Sequence, residues 1–166
     1  VDTILLTNKL IRQAKRLAYD PIVFHAHSSF AVVAFSDAAW GVRRDGGSQL
    51  GYIVAICDLD LLEGKEAPLS LQSWHSSRCP RVGRSSSSGE VQGAGAAEEE
   101  GEYVRLTLSE ILYGRVDLSR WYFVAAQVPG ALVLDCRGVF DALERSESAA
   151  LGMADKRSAI EALGLK

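Results

Sequence analysis

The chain has 166 residues, of which 48% are hydrophobic and 23% charged, values typical of a globular protein. This length accommodates one domain of ordinary size and is too short for two domains of typical size. The net charge of −3 excludes a globally basic nucleic-acid binder, so any contact with nucleic acid must depend on local basic patches.

The cysteines and the hydrophobic pattern predict an intracellular protein without a membrane partner. The three cysteines are an odd number and lack CxxC spacing, which argues against a disulfide framework and a zinc site. No apolar run approaches the roughly 18 residues of a spanning helix, and the start of the chain does not resemble a signal peptide. Because the chain begins with Val1 rather than Met, we expect it to be a piece of a longer protein.

The first predicted element is an amphipathic helix over residues 2 to 18, with a basic face that either binds phosphates or is simply solvated. It ends before Asp20-Pro21, because the residue preceding a proline is driven out of helical conformations. His25 and His27 follow as an H-x-H pair, which on a strand would share one face, as two metal ligands can. No carboxylate or cysteine lies near the pair in the sequence, which argues against a metal role.

The next segment is an apolar run, residues 31 to 35, that stops at Ser36-Asp37. Such a run predicts a strand buried on both faces. Burying an unpaired carboxylate there would reduce the free energy of unfolding by several kcal/mol. Asp37 is therefore expected to have a partner or a metal. A turn over residues 43 to 47, a strand from Gly51 to Cys57 and another from Leu69 to Trp74 complete an antiparallel meander.

A serine-rich segment, residues 76 to 88, precedes the longest predicted helix. It carries basic side chains that either bind phosphates of nucleic acid by charge or lie in a solvated loop. These are Arg78, Arg81 and Arg84. The serines can cap the helical stretch from Glu90 to Tyr113, which we predict to be one long helix or two joined helices. Its internal glycines each cost up to about 1 kcal/mol relative to alanine, so its middle is expected to be soft.

A second apolar run that stops on an aspartate, residues 131 to 135, repeats the earlier pattern. Residues 116 to 130 predict no clear element apart from a turn at their end. Two helices follow, from about Val139 to Arg145 and from Asp155 to Leu165. The order of elements is strand, strand, strand, long helix, strand, helix, helix, which is an α/β pattern.

Three acids in this order of elements form the candidate metal site: Asp37, Glu90 and Asp135. Two strands that end on aspartates can lie side by side, and a long helix packed on the sheet can add a third carboxylate. Hard cations such as Mg²⁺ take oxygen ligands, and two ions about 4 Å apart can activate water and stabilise the leaving oxygen of a phosphodiester. The carboxylates should then converge within roughly 4 to 8 Å. Each acid taken singly would more simply be a turn, capping or helix-dipole residue.

Five short motifs lie in order between residues 31 and 144. They are Phe35-Ser36-Asp37-Ala38-Ala39-Trp40, Ser48-Gln49-Leu50-Gly51-Tyr52, Ser73-Trp74-His75-Ser76, Ser85-Ser86-Ser87-Ser88-Gly89-Glu90 and Leu134-Asp135-Cys136. In order and spacing they resemble the motifs of the ribonuclease H domain in copia-type LTR retrotransposon polyproteins, which read Y/F-S-D-A-D-W, S-x-x-G-Y, S-W-K-S, S-S-T-E-A-E-Y and C-D-N. Five motifs in register are more specific than any one of them.

The resemblance implies a ribonuclease H-like α/β fold, in which the antiparallel three-strand meander and one or more parallel strands form a mixed sheet flanked by helices. It implies hydrolysis of the RNA strand of RNA–DNA hybrids with two Mg²⁺ or Mn²⁺ ions. The ions would be held by Asp37, Glu90 and Asp135. On grounds of charge alone, Arg78, Arg81 and Arg84 would bind phosphates of the hybrid, or they lie in a solvated loop. Residues 1–30 would be a connecting segment similar to the tail of a reverse transcriptase of the same polyprotein, and residues 31–166 the ribonuclease H-like domain.

The chain departs from the family pattern at several positions. Ser88 replaces the first glutamate of the E-A-E motif, and Cys136-Arg137 departs from the residues that follow the family's aspartate. The fourth acid of the family, in a Q-L-A-D motif after a fifth strand, has no counterpart before Lys166, so we expect the domain to be truncated at its C-terminus. Asp155 is either a substitute or the N-cap of the last helix. Two alternatives follow: an inactive ribonuclease H-like module that binds nucleic acid or packs against the reverse transcriptase, and a different nuclease or a transposase on the same fold.

Overall fold

The chain forms an α/β fold with one mixed sheet. The computed structural model describes residues 2–83, 85–114, 116–144, 160 and 165. The strands are β1 (Ala31–Ala39), β2 (Gln49–Cys57), β3 (Leu69–Arg78) and β4 (Gly130–Leu134). The helices are α1 (Asp2–Arg16), α2 (Leu59–Leu62), α3 (Ser86–Tyr113), α4 (Trp121–Ala125) and α5 (Arg137–Glu144).

The four strands lie in the order β3-β2-β1-β4, so β1 is central. It pairs antiparallel with β2, where Asp37 lies opposite Gly51, and β2 pairs antiparallel with β3. On its other side β1 pairs parallel with β4, where Ser36 lies opposite Leu134. The predicted meander and the parallel strand beside it are confirmed. The parallel pairing brings the C-terminal ends of β1 and β4 to the same edge of the sheet.

The core lies mainly between the sheet and α3. Val32, Ala34 and Val54 pack there against residues of α3 and of the segment after α4. The other face of the same strands is buried near α2, which explains why β1 begins as a continuous apolar run rather than an alternating one. Further along, that second face is open, and its large apolar side chains are exposed. Three examples are Ile53 (49% exposed), Trp74 (62%) and Val133 (43%).

Glycines of α3 form the side of this helix that faces β1. A Cβ added to Gly93 would lie 3.5 Å from the backbone oxygen of Asp37, and one added to Gly89 would lie 3.5 Å from the Cβ of Ala38. The expectation that glycines interrupt a helix had suggested two joined helices as an alternative, but α3 is continuous from Ser86 to Tyr113. The small residues let the helix axis approach the strand closely, and this proximity sets the position of Glu90.

We predict that Gly93→Leu lowers the free energy of unfolding by about 1–3 kcal/mol, because the added side chain must push α3 away from β1. Gly95→Ala is the matched control on the same helix. No atom of the described residues lies within 4 Å of a Cβ at Gly95, so alanine should raise stability by about 0.5–1 kcal/mol through its higher helix propensity. Urea unfolding of both variants tests this difference, and equal effects of the two substitutions would contradict the packing.

The boundaries of several elements differ from the predicted ones. Helix α3 begins at Ser86 rather than Glu90, because the Ser85 side chain caps it and accepts a hydrogen bond from the Ser88 N–H at 3.3 Å. Strand β3 extends past Trp74. A 3₁₀ turn and α4 occupy residues 118–125, for which the sequence predicted no clear element.

The two ends of the chain are described to different extents. Helix α1 ends at Arg16, and its apolar side chains are exposed, as for Ile4 and Leu10 at 66% each. Asp155 and the predicted last helix lie outside the described residues, apart from positions 160 and 165. None of the described helices has both the length and the apolar character needed to cross a membrane.

Candidate metal centre

The structure brings together the three acids predicted from the sequence: Asp37, Glu90 and Asp135. Each offers one carboxylate oxygen, and these atoms all lie within 4.8 Å of one another. The expected convergence is therefore observed, while the binding of a metal stays a prediction. Residues from a strand, a helix and a loop contribute the acids, which lie far apart in the sequence.

Each acid is positioned by a separate local cause. Asp37 lies near the end of β1, and Asp135 is the first residue after β4, so the parallel register places them side by side. Glu90 reaches them because α3 starts at the Ser85 cap and lies close to β1. Helix α5 closes the arrangement, since its Val139 packs against Val91 of α3 and both side chains are fully buried.

The acids differ in burial, and this corrects the argument made from the sequence. Asp37 was expected to be a buried charge at the end of its strand. Instead, β1 continues to Ala39, and the side chain of Asp37 is exposed, as is that of Asp135. The buried acid is Glu90, which is only 8% exposed. Glu90, rather than Asp37, is therefore the buried acid that requires a partner or a metal.

The environment of Glu90 is incompletely satisfied. The backbone N–H of Ala38 donates a hydrogen bond to its carboxylate, while the buried Oε2 atom has no hydrogen-bond partner among the residues that the structure describes. Burial, followed by the charges of Asp37 and Asp135, raises the pKa of Glu90 from 4.5 to about 7. Desolvation and like charges both disfavour the ionised form. In the absence of a cation, Glu90 is therefore largely protonated below neutral pH.

These properties fit a hard divalent cation. A buried oxygen that has no partner among the described residues, beside two exposed carboxylates, is the kind of oxygen donor set that Mg²⁺ and Mn²⁺ prefer. Within the described part of the chain, none of the three carboxylates forms an ion pair with a lysine or arginine. A cation would both pair the Glu90 oxygen and offset the repulsion among the acids.

Two of the predicted basic residues, Arg78 and Arg81, lie outside the acidic cluster. Arg78 is the last residue of β3, and one of its terminal nitrogens lies 3.1 Å from Asp45 Oδ2. Arg81 lies in the following loop, where its backbone N–H donates to Gln92 Oε1 at 3.1 Å. Arg78 and Arg81 line a common pocket of about 260 Å³. Arg84 lies outside the described residues, and contact with nucleic acid stays a prediction for all three.

A groove of about 630 Å³ runs across the open sheet face and reaches the acidic cluster, because Asp37 lines it. Its floor is apolar and includes Trp74, while Gln49 and Ser76 form its polar end. Sequence reasoning used Gln49 and Ser76 only as parts of motifs. Their places in neighbouring strands opposite the Asp37 segment could have indicated that they share this groove.

Among the described residues, the histidine pair is not part of a cluster that could hold a metal ion. Residues 25 to 27 are not on a strand, and both ring nitrogens of His27 have partners: Ser70 Oγ at 2.7 Å and Asp58 Oδ2 at 3.4 Å. Ser70 is only 3% exposed, so this trio clamps the connecting segment onto the sheet rather than presenting a nucleophile. Sequence reasoning missed Asp58 because it lies 31 residues away along the chain.

Asp58 holds the same segment through its other oxygen. Its Oδ1 accepts hydrogen bonds from the backbone N–H groups of Ser28 and Ser29, both at 2.8 Å. These bonds, that of Ser29 foremost, lower the pKa of Asp58 to about 2. The carboxylate is therefore ionised throughout the physiological range, and residues 25 to 29 are firmly attached to the sheet.

No match to this chain is found among models of known protein families, curated proteins or solved structures. The geometry of the acidic cluster and the ordered motifs are therefore the features that bear on its function.

Proposed function

We propose that this chain is a Mg²⁺-dependent ribonuclease H that hydrolyses the RNA strand of RNA–DNA hybrids. The observation that carries the proposal is the convergence of three carboxylates, each with one oxygen within 4.8 Å of the others. One of them, the buried Glu90, has an oxygen without a hydrogen-bond partner in the described part of the chain. The strand order, with a parallel fourth strand beside β1 and a long helix across it, supports a ribonuclease H-like fold. The five ordered motifs that resemble copia-type ribonuclease H domains support the substrate.

The chain's own residues would prepare the site for two divalent ions. Two divalent ions, when bound, would supply an activated water and stabilise the leaving oxygen of the phosphodiester. Glu90 must give up its proton to act as a ligand, and the Ala38 N–H holds its carboxylate in place. Asp37 and Asp135 lie at the exposed edge of the sheet, where a substrate backbone can approach. Arg78 and Arg81 would attract phosphates beside them.

The N-terminal segment supports a second part of the proposal. Helix α1 exposes its apolar side chains, including Leu6 (55%) and Ile11 (48%), to solvent. A helix with a wide apolar stripe normally packs against another element. We propose that residues 1–30 join this domain to the reverse transcriptase of the same polyprotein, and that the exposed stripe packs there.

The test is cleavage of an end-labelled RNA–DNA hybrid by the chain, with Mg²⁺, with Mn²⁺ and with EDTA, beside single-stranded RNA, duplex RNA and duplex DNA. We expect RNA fragments only from the hybrid and only with a divalent ion. Cleavage of duplex DNA instead would indicate a different nuclease or a transposase.

A second candidate is an inactive module that binds nucleic acid. It is favoured by the size of the cluster, since the described residues supply three acids where the family is expected to have four. Salt-dependent hybrid binding without cleavage, also after extension of the chain at its C-terminus, would support this candidate and contradict the ribonuclease.

A further inference from the structure

The turn between β1 and β2 brings two arginines onto one aspartate. The Asp45 side chain accepts a hydrogen bond from the backbone N–H of Gly47 at 3.0 Å. Its Oδ1 lies 3.6 Å from Arg43 Nε, and its Oδ2 lies 3.1 Å from a terminal nitrogen of Arg78. A Cβ on Gly47 would lie 3.0 Å from both Arg78 Nε and Asp45 Oδ1. The missing side chain at Gly47 therefore makes room for two guanidinium groups around one carboxylate.

This cluster is exposed, so its ion pairs are easily exchanged. The side chains of Arg43, Asp45 and Arg78 are 39%, 48% and 53% exposed. Solvent screens such pairs, and their contribution to stability is small. The planar guanidinium group bonds a phosphate with the same forked geometry that it uses for a carboxylate. A phosphate can therefore take the place of Asp45 at little cost.

The cluster is connected to the groove that contains Asp37. Arg43 donates a hydrogen bond to Gln49 Oε1, and Gln49 Nε2 donates to Ser76 Oγ at 2.9 Å. Gln49 and Ser76 line the same groove as Asp37. A charged turn at an unrelated part of the surface would have no such connection.

The sheet register gives the distance between the cluster and the acids. Gln49 of β2 pairs with Ala39 of β1 on one side and with Arg78 of β3 on the other. Arg78 therefore lies two strands away from Ala39, and Ala39 is two residues beyond Asp37 along β1. With strands about 4.8 Å apart, the backbone of Arg78 lies on the order of 12 Å from that of Asp37. At about 3.4 Å per nucleotide along the helix axis, this separation corresponds to a few nucleotides of a bound strand.

We propose that Arg43 and Arg78 form a binding site for a phosphodiester of the substrate, and that the Asp45 carboxylate occupies this site until a phosphate replaces it. Asp45 keeps the two guanidinium groups oriented in the free protein, and it competes with the backbone phosphate on binding. The inference depends on the proposed function only for the identity of the substrate as nucleic acid, since binding requires no cleavage.

The experiment measures affinity for a fluorescent RNA–DNA hybrid by anisotropy, in EDTA, between 50 and 200 mM KCl. Asp45→Asn removes the competing charge, while its amide oxygen can still accept the Gly47 N–H. The matched control is Asp60→Asn, which neutralises an aspartate paired with Lys65 at 2.9 Å, at the opposite end of the sheet. Arg78→Ala is compared with Arg44→Ala. Arg44 is an exposed arginine of the turn between β1 and β2, and its substitution removes the same charge outside the cluster.

We expect Asp45→Asn to tighten binding about 10-fold at 50 mM KCl and to steepen the slope of log K against log salt by about 0.9, because one more phosphate contact is freed. Asp60→Asn should change little. Arg78→Ala should weaken binding more than Arg44→Ala, and Asp45→Asn should have a smaller effect in the Arg78→Ala background.

Equal effects of Asp45→Asn and Asp60→Asn would overturn the inference and leave the proposed nuclease untouched. Conversely, tightening specific to Asp45→Asn in a protein that never cleaves would support the inference while contradicting the nuclease. The same titrations are repeated with added inorganic phosphate as a competitor of the hybrid. If Asp45→Asn made phosphate a stronger competitor without raising the affinity for the hybrid, the substrate phosphodiester would be excluded as the ligand. Absence of any hybrid binding by wild type and Asp45→Asn would contradict both proposals.

Discussion

Asp135→Asn is expected to reduce hybrid cleavage in Mg²⁺ by about 10³-fold or more, equivalent to about 4 kcal/mol of lost transition-state stabilisation. The physical reason is that an amide cannot supply the charge that holds a divalent ion, and Asp135 is one of only three acids that meet in this cluster in the described part of the chain. The substitution is nearly isosteric and affects an exposed side chain, so the fold should be retained.

The matched control is Asp141→Asn. Asp141 lies on the helix that follows Asp135, where its carboxylate lies 3.9 Å from Arg137 and outside the acidic cluster. Cleavage should be close to that of the unchanged protein. Initial rates on the labelled hybrid, with unfolding curves to verify the fold, measure both variants. Undiminished cleavage by folded Asp135→Asn would rule out the proposed centre.

Glu90→Gln is expected to change how stability depends on pH in the absence of divalent ions. In the folded chain the pKa of Glu90 is raised to about 7, while the unfolded value is near 4.5. A raised pKa means that the folded state retains a proton that the unfolded state loses. The contribution of Glu90 is therefore fully present below about pH 4.5 and is lost as the pH rises to about 7.

Urea unfolding in EDTA at intervals from pH 5 to pH 8 measures this loss, which amounts to up to about 3 kcal/mol for the wild-type residue. Glu90→Gln should flatten the curve and raise stability at pH 8. Glu99→Gln, on the same helix with an exposed side chain, is the control and should leave the curve unchanged. A wild-type curve that is already flat would show that Glu90 ionises freely.

Addition of Mg²⁺ extends the same experiment. Because a ligand must be deprotonated, the metal competes with the proton on Glu90, and Mg²⁺ affinity should rise with pH up to about 7 and then level off. Stabilisation by Mg²⁺ should accordingly be larger at pH 8 than at pH 5.5. In Glu90→Gln the pH dependence of this stabilisation should disappear.

Local sequence patterns were sufficient for the four strands and for α1, α3 and α5, but they did not predict α2 or α4. The apolar run before Asp37, the turn residues after it and the helical spacing after Ser85 predicted the meander and the long helix, since each depends on neighbours in the chain. The repeated pattern of an apolar run ending on an aspartate also identified β4. Boundaries were less accurate, because the Ser85 cap and the pairing of β3 with β2 decided where α3 begins and β3 ends.

The sequence by itself determined which acids belong to the candidate centre: Asp37, Glu90 and Asp135. Only the tertiary structure decided their environments. Burial depends on how closely α3 approaches β1, which the helix glycines allow, and this made Glu90 the desolvated acid rather than Asp37. The same holds for the carboxylate of Asp58, whose partners Ser28 and Ser29 lie in a distant segment. It holds in part for Asp45, where Arg78 of β3 joins two partners from the turn itself. The burial of a carboxylate and the charges around it depend on residues that only folding brings together. The spacing of residues along the chain does not specify them.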